Sequence, residues 1–586
     1  MLIHDSHKAF YREPAGPAIP STRVTFRLRA DEATSVVLRT WMDEELCYTM
    51  MCGADHVWEV AIDLPDHPGL FWYYFLVYRG DGRTIRYGNA YDKLGGEGAV
   101  WDKGEPESFQ ITIYDPAYKT PEFMHGCNIY QIFPDRFFKA PTASVDKRTD
   151  RFLYESWEDE VREENGYLRG EYNSNDFFGG TLTGVQEKLP YLKALGVDVI
   201  YMNPIFQASS NHRYDTGDYT RVDPLLGTNE EFRALCEAAK KLGMRIMLDG
   251  VFSHTGEDSV YFNRYGSYDS VGAYQGHDSP YYDWYTFRKY PDDYRCWWNF
   301  KTLPECRKDN PDYQDFMFRE KTGVIPRWIH GGACGWRLDV ADELSMDFLR
   351  RLRRTAKKAD PEAVVLGEVW EDASNKIAYG EMRCYCTGDT LDSVMNYPLR
   401  EAIIDFLTGK TGAAALVRLV KHQAEVYPAP FRYALMNLVG SHDRARVLNM
   451  LVGKECKDIP RSEQEKVTLT QEEYALASER YRKCIDLLCA LPGCPTIYYG
   501  DEAGLTGCPD PYCRKPFPWG REDEGLQTYV RDRLNHRRES EVLKYGHCDI
   551  VALDEDTVVI TRYFSGTDGL GQARTEAAKE VLTIKR

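Results

Sequence analysis

In the stretch GWRLDVADE, residues 335–343, Arg337 and Asp339 stand two apart in a short apolar run. In a strand that spacing puts both side chains on one face. A buried strand normally avoids charge, so an Arg and an Asp sharing a face near its C-terminal end suit the mouth of a barrel enzyme, the Arg orienting the carboxylate. A structural ion pair explains this segment alone equally well. Other strand-like ends repeat the habit: Asp249 and His254 in LDGVFSH, Glu368 in LGEVWED, and His442 with Asp443 in NLVGSHD. A packed core would not tolerate such groups unpaired. Each motif is weak, and the ordered set is strong.

The elements that must position these residues are strands alternating with helices. NIYQIF, VDVIYMNP, MRIMLDG, CGWRLDV, VVLGEV, SVMNY, YALMNLVG and TIYYGDE read as strands, with helical segments such as NEEFRALCEAAKKLG and SMDFLRRLRRTAKKA between them. Some eight alternations predict an α/β chain with a (β/α)8 barrel over 119–541, and no Gly-rich phosphate loop follows the first strand to support a doubly wound sheet. Residues 253–318, rich in Tyr, Gly, Asp and Trp, are expected to form an inserted subdomain after the third strand. Before the barrel, alternating segments such as VTFRLRA and VWEVAIDL predict an antiparallel β-sandwich within 1–118. The β-like segments of 542–586 leave room for part of a C-terminal β-domain.

The chain has 586 residues and 43% hydrophobic content, enough for two or three domains with a large core. A net charge of -18 argues against nucleic acid or an anionic membrane as partner. Aromatic residues make up 13% of the chain, many in loop-like stretches such as YYDWYTF and RCWWNF, which is compatible with a carbohydrate ligand. The 16 cysteines are scattered without paired zinc-site spacing, and read as reduced thiols of a cytoplasmic protein. No stretch has signal-peptide or membrane-helix length.

With these motifs in hand, the sequence resembles the α-amylase family of glycoside hydrolases over the barrel. LDGVFSH, GWRLDVADE, GEVWED and LVGSHD stand where the family has its four signature regions. GWRLDVA, TLPEC and the front sandwich together look most like the neopullulanase, cyclomaltodextrinase and maltogenic amylase branch. The resemblance implies a retaining hydrolase of α-1,4, and also α-1,6, glucosidic bonds in maltooligosaccharides, cyclodextrins or pullulan. It makes Asp339 the nucleophile, Glu368 the general acid/base and Asp443 the transition-state stabiliser. Arg337 should then hold the Asp339 pKa down, and the apolar surroundings of Glu368 should raise its own. A retaining pair should stand ~5–5.5 Å apart.

The same resemblance makes His254 and His442 sugar-binding histidines and Tyr214 a stacking aromatic, with His212 and Asp215 beside it. Asp510 and Arg514 resemble a clamp on sugar hydroxyls. Trp370 is a platform for the leaving-side sugar or simple barrel packing, and Asp249 supports Arg337. A homodimer through the N-terminal domain is the branch's habit. Asp342 and Arg444 depart from the Asn and Thr usual in the branch, which bears on substrate choice. No cofactor is needed for this chemistry, and a structural calcium has no clear motif, since Asn173, Asn175 and Asp176 read more simply as a turn. A transglycosylase, and a carbohydrate-binding barrel without catalysis, are the rival readings.

Overall fold

The computed structural model describes residues 1–586. Eight parallel strands form the central sheet: β1 Ile129–Ile132, β2 Val199–Met202, β3 Arg245–Gly250, β4 Ala333–Leu338, β5 Val364–Gly367, β6 Ser393–Val394, β7 Met436–Leu438 and β8 Cys494–Tyr498. Their order is β6-β5-β4-β3-β2-β1-β8-β7, and a parallel bridge between Met395 and Met436 brings the two ends together. Each strand is a short apolar run because both of its faces are buried. Ile129, Val199, Tyr201, Val364 and Leu366 fill the barrel interior, while Tyr130, Ile200, Met202 and Leu248 face the outer helices. The residue period of two thus sorts one strand between two layers.

Local signals fix the connecting helices. The helix Asn229–Lys241 opens on a reciprocal capping box between Thr228 and Glu231. The segment GVQEKLPYLKALG forms two helices, Leu182–Glu187 and Leu189–Leu195, because Pro190 sits in the first turn of the second. Gly335, at φ +149, lies so close to β5 that a Cβ there would stand 2.2 Å from the Val364 carbonyl oxygen. Only glycine lets β4 lie this close.

Between β3 and β4 the chain makes little regular structure beyond the short strands Phe287–Lys289 and Asp293–Tyr294 and the helices Pro311–Phe318 and Val324–His330. Aromatic packing takes its place: Trp284 contacts Tyr261, Tyr281, Tyr313 and Phe316 with ring centroids 4.9–5.3 Å apart.

In front of the barrel stand two antiparallel sheets, of five and six strands. Alternate residues of Arg23–Ala30 and Ala33–Trp41 point between them, so that Val24, Phe26, Leu28, Val36 and Leu38 meet Tyr73, Phe75 and Val77 in one core. A three-stranded antiparallel sheet, His547–Ala552, Thr557–Tyr563 and Lys579–Lys585, follows the barrel.

The barrel helix Ala413–Val426 joins these parts. Near its end the buried Glu425 carboxylate pairs with Arg12 at 3.0 Å and His7 at 2.9 Å, both from the front of the chain. No helix is long and apolar enough to cross a membrane.

Candidate active site

The carboxylates of interest gather at the C-terminal ends of the barrel strands, around a cavity of about 1000 Å3. Arg337, in β4, is fully buried, and its guanidinium holds three acids: Asp249 of β3 at 2.8 Å, Asp339 at 3.2 Å and Glu368 at 2.9 Å. Register explains the first contact, since Asp249 and Arg337 are direct neighbours across β3 and β4. The other two follow because Asp339 and Glu368 come immediately after β4 and β5, which pair side by side. Between them the backbone is strained: Val340, β-branched, takes φ 42 and ψ 64. That turn aims the Val340 N–H at Glu368 Oε2, 2.8 Å away.

Electrostatics here depart from the sequence expectation. Burial, then the Glu368 carboxylate, push the Asp339 pKa well above the ordinary carboxylate range, against the pull of Arg337. Arg337 falls short because its one charge is divided among three acids. Burial and Glu368 likewise raise Asp443, to about 7, against Arg514 and Arg337. The Asp443 side chain is 30% exposed, but what it meets is the cavity rather than open solvent.

Around this floor the expected sugar-binding residues converge. Tyr214 stacks on His442, ring centroids 5.3 Å apart and planes 4° from parallel, and its hydroxyl donates to Asp249 at 2.8 Å. Burial holds His442, His212 and His254 neutral by lowering their pKa values, that of His254 to about 3. A neutral imidazole can both donate to and accept from a hydroxyl. His254 is braced by Ser253 and by the Tyr214 carbonyl at 3.1 Å. Asp215 lines the cavity and also fixes its own loop through the Ser209 and Ser210 amides.

On the opposite wall Arg514 pairs with Asp510 at 2.7 Å and donates to the His442 carbonyl at 3.1 Å. Two members of the expected binding set do not line the cavity. Asp249 and Arg337 are buried beneath it and can act only through Asp339, Glu368 and Tyr214. Trp370 does line it: the indole N–H donates to Glu368 Oε1 at 3.0 Å, and the ring stacks on Tyr397 at 4.0 Å. Trp370 therefore packs in the barrel and borders the cavity at once.

The departures from the branch pattern prove to be compensated. Asp342 is neutralised by Lys376 and hydrogen-bonded by Tyr385 at 2.6 Å. Arg444 lies over the Trp370 ring at 4.6 Å and reaches Glu401 at 3.4 Å. Lys376 introduces a hairpin, Ile377–Ala378 with Glu381–Met382, whose Tyr379 hydrogen-bonds Glu343 at the cavity rim. Sequence reasoning missed this hairpin, because two-residue strands leave no periodic signal. It also missed Arg461, which packs over Tyr172 at 4.4 Å and reaches Asp510 at 3.7 Å. Trp298 and Phe300, 70% and 57% exposed at the rim, lie in the aromatic stretch RCWWNF that hinted at carbohydrate. Of the side chains weighed as metal ligands, Asp176 pairs with Arg136 at 2.9 Å, and the Asn175 amide nitrogen donates to the Asp150 carbonyl at 2.7 Å while its Oδ1 has no protein partner.

The reading of all cysteines as reduced thiols is corrected at one pair. Cys456 and Cys508 form a disulfide across a separation of 52 residues, and the other fourteen are free. Spacing along the chain could not reveal it, because only the barrel brings the loops after β7 and β8 together. The bond tethers the loop that carries Asp510 and Arg514. Replacing both cysteines by serine is expected to cost roughly 2–4 kcal/mol in urea unfolding, with a matching loss when the wild type is reduced. Equal stability of oxidised and reduced wild type would show that the bond constrains nothing.

A family model described as "Alpha amylase, catalytic domain" matches residues 131–540. The chain is 37% identical over 640 residues to the amylopullulanase of Thermoanaerobacter thermohydrosulfuricus, an alignment covering 100% of this chain and 42% of the relative. It is 32% identical over 477 residues to neopullulanase 2 of Thermoactinomyces vulgaris, covering 79% of this chain and 71% of that one. Among solved structures it is similar to the cyclic α-maltosyl-(1→6)-maltose hydrolase of Arthrobacter globiformis, with TM-score 0.63, 30% identity, and 77% and 90% of the two chains covered. It spans less than half the length of the amylopullulanases it matches, between 33% and 48%.

Proposed function

Because the chain belongs to the alpha-amylase catalytic-domain family, we propose that it is a retaining glycoside hydrolase acting on α-1,4 and α-1,6 glucosidic bonds of maltooligosaccharides, cyclodextrins or pullulan. The observation that carries this reading is the pair of carboxyls, Asp339 and Glu368, gripped by the two terminal nitrogens of one guanidinium at the floor of a large cavity. That shared grip supports the short separation a double displacement needs. Asp339 attacks the anomeric carbon while Glu368 hands a proton to the leaving oxygen. Glu368 then takes a proton from water, which releases the sugar with its configuration retained.

The reactive form has Asp339 ionised and Glu368 protonated. Asp443, 3.2 Å from His442, then holds a ring hydroxyl whose hydrogen bond strengthens in the transition state. Tyr214, His212, His254 and His442 hold the sugar at the cleavage point, Asp510 and Arg514 its far side, and Trp370 the leaving side. The presence of all three carboxylates argues against a binding-only barrel.

Exposed Met51 and Leu46, on edge strands of the two front sheets, support a homodimer contact there. Fourteen free cysteines favour a reducing, cytoplasmic setting, whereas the Cys456–Cys508 bond favours an oxidising one. The thiol state of that pair in protein taken from cells decides between them.

Hydrolysis of β-cyclodextrin, pullulan and maltotriose, side by side, tests the reading. Cleavage with retained anomeric configuration is expected, and the ranking of the three gives the preferred linkage and shape. If none is cut, the hydrolase reading fails for this substrate class.

A further inference from the structure

Three loops meet at one end of the catalytic cavity, and Arg461 stands where they touch. It begins the short helical turn Arg461–Gln464, in the chain between β7 and β8. Residues that follow β8 fix the backbone of this turn. The Cys456–Cys508 bond anchors its approach, and the Tyr512 hydroxyl donates to the Arg461 carbonyl at 3.1 Å. The Gln464 amide nitrogen donates to the Ile459 carbonyl at 2.9 Å, and Ile459 and Val467 pack on Cys456, Cys508 and Tyr512.

The guanidinium is held more loosely. It lies 4.4 Å over the ring of Tyr172, which belongs to the hairpin of Tyr167–Leu168 with Glu171–Tyr172 between β1 and β2. Its ion-pair partner, Asp510, is 3.7 Å away, beyond hydrogen-bond distance. Other cations of the cavity are engaged closely: Arg514 on Asp510 at 2.7 Å, and Lys376 on Asp342 and Glu371. Arg461 therefore keeps N–H donors free beside the cavity it lines.

Side-chain exposure orders this wall. It rises from 8% at Arg514 through 26% at Asp510 to 40% at Arg461, so the three run from the floor toward the mouth. A planar guanidinium, stacked on an aromatic ring and carrying its donors in a rigid fork, suits two neighbouring hydroxyls of a sugar. We propose that Arg461 is a specificity-determining residue: it binds the glucosyl unit at the non-reducing end of the bound chain and closes the cavity behind it. The glycosyl group passed to Asp339 then has one short length. A cyclic glucan has no end, so it must displace Arg461 to enter. This role rests on the α-glucan reading above.

Product lengths test it, using the full chain with maltoheptaose labelled at its reducing end, and with β-cyclodextrin. At early times the wild type should release one dominant unlabelled oligosaccharide. Arg461→Ala should spread that product to longer chains. It should also raise kcat/KM on β-cyclodextrin, relative to maltotriose, at least fivefold. Tyr172→Leu, which removes the ring under the guanidinium from a different loop, should shift both readouts in the same direction. That agreement would separate loss of the end wall from a collapse of the turn. Unchanged product lengths in Arg461→Ala, or a substrate ratio within twofold of wild type, overturn the inference. If the wild type cleaves no α-glucan, the underlying reading falls as well, and this is seen before any variant is compared.

Discussion

Replacing Asp339 with asparagine is expected to lower kcat on maltotriose by on the order of 10^4-fold or more, with little change in KM. Asparagine nearly matches the carboxylate in shape, so the cavity walls keep their positions, but its amide oxygen cannot form the glycosyl ester. Azide supplies a diagnostic. In Asp339→Ala, which opens the space of the carboxylate, a small anion attacks from that face, so rescued turnover should yield a glycosyl azide of inverted configuration.

Stability should move the other way. A carboxyl whose folded pKa is raised stabilises the folded chain at low pH, and that contribution is lost as pH rises from its unfolded value through its folded one. Asp339 is raised by burial and by Glu368, so the asparagine variant should lose less stability than the wild type on going from pH 4 to pH 8. Activity within tenfold of wild type would remove Asp339 from the role of nucleophile.

Arg337→Met is expected to destabilise the chain by about 3–5 kcal/mol at pH 7, because it strands buried acids rather than merely breaking a contact. Asp249, Asp339 and Glu368 all lean on this guanidinium. Their mutual repulsion would then be relieved by taking up protons. Arg337 also helps to pull Asp443 down, together with Arg514 and against burial, Glu368 and Asp249. Its loss should move the acidic limb of kcat/KM upward in pH, because Asp339 and Asp443 both lose its pull. Urea unfolding and a pH profile of residual activity measure both effects. A variant of wild-type stability with an unmoved limb would mean that Arg337 does not hold this set of acids together.

The barrel was legible in the sequence because each of its strands is a continuous apolar run ended by a polar residue, a pattern that buried parallel strands impose. The acids at those ends could be read for the same reason. The charge balance among them could not. From GWRLDV alone Arg337 has one partner, Asp339, and the expectation of a lowered pKa follows; the fold buries Asp339 and sets Glu368 beside it, and the direction reverses. Long-range pairings were hidden in the same way. Neither Cys456 with Cys508 nor Lys376 with Asp342 has any local signature, since each pair depends on which loops the closed sheet makes neighbours.

Arg12 and Glu425 bear on modularity. A front sandwich invites treatment as a cassette, to be exchanged or dropped as genes recombine. Here a barrel helix keeps its buried carboxylate neutralised by a guanidinium drawn from the opening residues of the chain. A recombinant that joined this barrel to a foreign sandwich would inherit Glu425 with no counter-ion in a site closed to water. Such chimeras should persist only where Glu425 changes in the same step, so the two parts have reason to be inherited as a unit.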